Sequence, residues 1–70
     1  MRYAIVVEKG KSSWGAYVPD LPGCVAAAET REEVYALIKD AIEFHLEGLA
    51  GDGETAPPPS SEADYVEISA

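Results

Sequence analysis

"VPDLPGCVAAAET", Val18 to Thr30, decides how this chain folds. The residues before it, "WGAYV" (Trp14 to Val18), are aromatic and β-branched and read as a strand. Pro19 ends that strand, because proline has no N–H to give to a ladder. Within "DLPG", Pro22 presets φ and Gly23 supplies a positive φ, which fits the two central positions of a type II turn. "CVAA" (Cys24 to Ala27) then reads as a short strand, although alanine is a poor strand former. The stretch therefore reverses the chain between two strands. Pro19, Pro22 and Gly23 are its structural residues, and they limit the entropy lost when it orders. On this reading Asp20 and Leu21 stand on a projecting corner.

Upstream, "MRYAIVVE" is a strand over about residues 2–8, "KGKSS" is a polar turn, and the Trp14 strand completes a hairpin. Downstream, the period changes from strand to helix. Thr30 and Glu33 form a capping box, with the Thr hydroxyl on a first-turn amide and the Glu reaching back. Glu32 and Glu33 suit the positive end of the helix dipole. Val34, Leu37, Ile38, Ala41, Ile42, His45 and Leu49 then recur at helical spacing, which predicts a helix from about Arg31 to Ala50 that stops at Gly51. "GDGETAPPPSSE" (51–62) is a connector stiffened by three successive prolines, expected to be mobile or to wrap a neighbour. "DYVEISA" alternates and predicts a last strand at about 64–69. The expected fold is α+β, a single domain over residues 1–70 in the order β-β-β-α-β. It has a three-stranded antiparallel sheet plus a fourth strand, packed on one long helix.

A chain of 70 residues is close to the lower limit for a self-sufficient core, which at this size supplies roughly 3–5 kcal/mol. Such domains usually add disulfides, a metal or self-association. One Cys and one His cannot make a disulfide or a four-ligand Cys/His zinc site. Self-association remains. The apolar arc of the helix is wider than one sheet needs, so Tyr35, Ile42, His45, Leu46 and Leu49 are the expected homo-oligomer interface. His45 there would also make assembly sensitive to pH.

The formal net charge is −8, with thirteen acidic and five scattered basic residues. Binding nucleic acid requires Lys and Arg to displace counterions from phosphates, so direct DNA or RNA binding is not expected. An acidic chain suits a basic protein partner. The run "AIVV" is too short for a signal peptide or a membrane span, and a lone thiol fits the cytosol.

Catalysis is not expected. Cys24 has no orienting group or oxyanion loop beside it and reads as a small buried hydrophobe; His45 reads as a packed histidine. Glu8, Asp20 and Glu67 are the acids that a Mg²⁺-dependent nuclease would need, but they share no local motif. "DGE" (52–54) lacks Ca²⁺-loop spacing. No metal or cofactor is expected.

"WGAYVPDLPGCVAAAETREEV" resembles the HicB-type antitoxins, whose pattern runs from an aromatic strand through V-P-D-L-P-G-C and a short strand to G-D-T-x-x-E-A at a helix start. Tyr17 to Cys24 match the first block, and Thr30 and Glu33 match the helix opening. "GETAPPPS" is similar to the family's G-x-x-I-P-x-P-S. Ala28, Glu29 and Val34 depart from it. The resemblance implies a fold like a partial RNase H domain without its acid cluster, and no catalysis. It also implies a partner, a small basic HicA-type toxin that cleaves mRNA and that the antitoxin masks. Family members often carry a C-terminal DNA-binding module. This chain ends at Ala70, so DNA binding is not carried over.

Three functions compete: a toxin-masking interaction protein, an orphan oligomer that binds another protein or a small ligand, and a metal-dependent nuclease remnant. For the first, the expected contact surface is Trp14, Tyr17, Asp20 and Leu21, supported by Glu8. Aromatic anchors beside carboxylates fit an interface with a basic partner.

Overall fold

The structure, a computed structural model, describes residues 1–69. Three strands, β1 (Val6–Lys9), β2 (Trp14–Tyr17) and β3 (Val25–Ala28), form an antiparallel sheet in the order β1-β2-β3. A single helix, α1 (Arg31–Gly51), crosses one face. The hairpin closes with a hydrogen bond from Gly10 N–H to Ser13 C=O, and the Lys9 ammonium lies 5.9 Å from the Trp14 ring centroid.

β1 starts at Val6 rather than near residue 2. The register pairs Val6 with Tyr17, so Ile5 would oppose Val18 and Ala4 would oppose Pro19. Proline has no N–H for that rung, and Val18 N–H is already given to Cys24 C=O. The ladder therefore ends where the Pro19 turn begins.

Side chains alternate across the sheet. Ala16, Val18 and Cys24 point toward the helix and meet Val34, Ile38 and Leu21, forming a core around which Tyr3, Ile5, Val7, Trp14 and Ala26 pack. Leu21 corrects the sequence reading. It does not project from a corner but is 0 % exposed. Burying a leucine is worth about 2 kcal/mol, enough to decide which way a turn residue faces.

The helix begins as expected. Thr30 is extended, its Oγ1 accepts from Glu33 N–H at 3.1 Å, and its hydroxyl donates to Glu33 Oε1 at 2.9 Å. Glu33 thus returns to the Thr30 hydroxyl rather than to the backbone amide of a full capping box. The helix runs one residue past the expected end at Ala50, with Gly51 still helical. Gly53, at φ 75°, gives its N–H to Ala50 C=O, and Glu54 N–H reaches Leu49 C=O at 2.8 Å. These two bonds make a Schellman cap, and the left-handed residue it requires is Gly53.

The expected fourth strand is absent among the described residues: no strand follows α1. Its alternating pattern specifies an extended chain but supplies no neighbour, and Tyr65, Val66 and Ile68 are exposed.

Candidate interaction surface

The loop joining β2 to β3 is two successive turns. Leu21 N–H donates to Val18 C=O at 3.1 Å, and Cys24 N–H donates to Leu21 C=O at 3.1 Å. Pro19 and Pro22 each take the second position of a turn, where their fixed φ fits. Gly23 follows at φ 84°, as a type II turn demands. Val18 N–H to Cys24 C=O at 3.2 Å closes the base. The geometry buries Leu21 and turns Asp20 outward.

Asp20 is occupied by its own chain. Its Oδ2 accepts from the backbone N–H of Ser60 at 2.8 Å and of Ser61 at 2.9 Å. Its Oδ1 accepts from the Ser61 hydroxyl at 2.7 Å and the Ser60 hydroxyl at 3.1 Å. The Ser61 bonds, with those of Ser60, stabilise the charged form and hold the carboxyl at about 2, below its ordinary 3.8. The Tyr3 hydroxyl donates to Pro57 C=O. The connector is strapped to the domain at these points, and Asp20 is the buckle. No local pattern points to Ser60 and Ser61 in this role, because the contact spans forty residues.

The face of the sheet away from the helix is open. The register aligns Val6, Tyr17 and Val25 across all three strands, with Glu8, Gly15 and Ala27 in the next row of that face. Tyr17 is 42 % and Val25 64 % exposed. Of the residues expected to meet a partner, Tyr17 and Glu8 share this face. Trp14 lies on the helix side, half-buried, and Leu21 is in the core. Val6 and Val25 were missed in the sequence, although the period-2 alternation of their strands places them beside Tyr17.

The expected oligomer residues divide. Ile42 and Leu46 pack on the core of their own chain, His45 and Leu49 are half-buried, and Tyr35 is exposed. Cys24 is buried, and desolvation pushes its thiol above the ordinary value. Glu8 lies on the open face, Asp20 is bound to the serines and Glu67 sits in the tail. Among the described residues no group of three or more His, Cys, Asp or Glu converges as a metal site. No helix among them is long and apolar enough to cross a membrane.

Residues 3–69 match the sequence model of a family described as the HicB-like antitoxin of bacterial toxin-antitoxin systems. The chain is 38 % identical over 66 residues to an uncharacterized 14.9 kDa protein from the rep-hol intergenic region of Haemophilus phage HP1, covering 94 % of this chain and 50 % of that protein. It is 31 % identical to Antitoxin HicB 2 of Photorhabdus laumondii, over 100 % of this chain and 51 % of that protein. The chain thus spans about half the length of these relatives. Among solved structures, a chain of a HicA3 and HicB3 toxin-antitoxin complex superposes with a TM-score of 0.71 and 30 % identity, over 84 % of this chain and 70 % of that one.

Proposed function

The chain belongs to the HicB-like antitoxin family of bacterial toxin-antitoxin systems, and from that premise we propose that it binds and masks a small basic toxin of the HicA type. The observation that carries this reading is the open sheet face, where the aligned Val6, Tyr17 and Val25 stand next to Glu8 in a chain of net charge −8. Apolar and aromatic side chains on a rigid sheet supply contact area, and the acidic field selects and speeds the encounter with a basic protein. The solved relative that it resembles is a toxin-antitoxin complex. Masking needs no chemistry from the antitoxin, so the domain acts as a non-enzymatic binder in the cytoplasm, with no cofactor.

Asp20 serves this surface indirectly, by holding the connector against the turn. Its carboxylate is already saturated with donors, so the direct contacts fall to Tyr17, Val25 and Glu8. Replacing Val25 with Lys places a like charge against a basic partner and removes apolar area, yet Val25 lies outside the core. Affinity for the toxin, measured by titration calorimetry, should fall at least about tenfold while the melting temperature stays put. Unchanged affinity in Val25→Lys and Tyr17→Ala together would remove this face from the interface.

A further inference from the structure

Gly15 lies inside β2, the central strand, and nothing within the fold calls for a glycine there. Its φ is not positive, unlike those of Gly23 and Gly53. The register runs through it without a bulge on either side, from Trp14 to Tyr17. Beyond its chain neighbours, a Cβ at this position would meet only the Ala26 carbonyl oxygen, at an ordinary 3.9 Å. Glycine in a strand interior loses more backbone entropy than other residues and packs no side chain, so it weakens the sheet. Nothing within the chain offsets that loss. A strand glycine without an internal reason points to a group that approaches from outside.

The missing side chain belongs to the open face. Gly15 is paired with Glu8 on β1 and with Ala27 on β3, beside the row of Val6, Tyr17 and Val25. Glycine and alanine side by side leave a hollow there, with the exposed Tyr17 next to it and the Glu8 carboxylate at its β1 end. Lys9, which follows Glu8, does not neutralise that end. It is turned to the other face, its ammonium 5.9 Å from the Trp14 ring centroid.

We propose that this hollow receives an arginine side chain of the basic partner, and that Gly15 sets the size of the group that can enter. This anchor rests on the reading of the open face as the toxin surface, and it names the group that docks there. A guanidinium is planar, stacks on an aromatic ring and pairs with a carboxylate through two parallel N–H bonds. An ammonium has no plane to stack and no such fork. Tyr17 and Glu8 supply the ring and the carboxylate, and the floor of Gly15 and Ala27 leaves room for the plane between them. The net charge of −8 favours a cation at this place.

The test uses the full chain and, as probe, the purified basic protein that is recovered with it. Gly15→Val fills the hollow with a good strand former. It should raise the urea midpoint by about 0.5 M yet weaken binding at least about tenfold in titration calorimetry. Ala27→Ile fills the same hollow from β3, at an exposed position, and should weaken binding likewise. In the complex, NOEs should join the Nε–H of an arginine of the isotope-labelled partner to the Tyr17 ring. Unchanged affinity in both filled variants would overturn the proposal, as would a urea midpoint that falls in Gly15→Val, which would mean that the fold itself needs the glycine. NOEs from a lysine or an apolar side chain in place of arginine would overturn the occupant. If Tyr17→Ala and Val25→Lys weaken binding while the filled variants do not, this inference fails and the toxin surface stands. If all four bind like the unaltered chain, or no basic protein is recovered, both fail.

Discussion

Replacing Leu21 with alanine tests whether the "DLPG" turn is a core element or a presenting corner. Leu21 is fully buried among Val18, Cys24, Val34 and Ile38. Truncating a buried leucine costs about 2–5 kcal/mol, and more where the surroundings cannot collapse into the space. Here the wall on one side is a double turn fixed by two prolines and three backbone hydrogen bonds, so the cavity should persist and the loss should reach about 3–4 kcal/mol. A chain of 70 residues has a total stability of about 3.5–10 kcal/mol, so this one change removes a third or more of it. Urea unfolding followed by far-UV circular dichroism is the assay. With a slope near 1 kcal/mol/M, the midpoint should fall by about 3 M or the protein should not fold. Leu21→Met keeps the volume and should cost less than about 1.5 kcal/mol. A loss below about 1 kcal/mol in Leu21→Ala would refute the reasoning and return Leu21 to the surface.

Other outcomes follow from the same structure. Asp20 has a carboxyl held at about 2 against an ordinary 3.8, so the docking it supports is complete above the higher value and is lost as pH falls through the lower one. NMR titration of the Ser60 and Ser61 amide shifts should show a midpoint near 2, and a midpoint near 3.8 would mean that the strap is open in solution. Gly23 occupies the left-handed region with open space around its missing side chain. Gly23→Ala should therefore cost about 1–2 kcal/mol from backbone strain alone, measurable as a shift in the same urea midpoint. Cys24, buried with its thiol pushed up by desolvation, should react with a chromogenic disulfide only as fast as the domain opens. Immediate reaction in native buffer would contradict its burial.

What was legible in the sequence was local. The hairpin, the type II turn at Pro22 and Gly23 and the cap at Thr30 each depend on a few neighbouring residues with fixed conformational preferences. The helix stripe was legible too, because Val34 and Ile38 repeat at the helical period. Its end was less so, since Gly51 and Gly53 both offer a stop and only the backbone bonds distinguish them. Leu21 was misplaced because a turn's composition sets its shape but not which residue faces the core. The Asp20 buckle joins residues forty apart and has no local signature. The tail shows a third limit: "DYVEIS" carries a strand's alternation, but pairing depends on a neighbour that the pattern does not name.

The most direct test of the antitoxin reading is to recover the tagged protein from its own cell lysate after RNase treatment and assay what comes with it. If that reading holds, a small basic protein is recovered that cleaves RNA when freed and stops when this chain is restored. Recovery of this chain alone, or of a partner whose activity it leaves untouched, would contradict it.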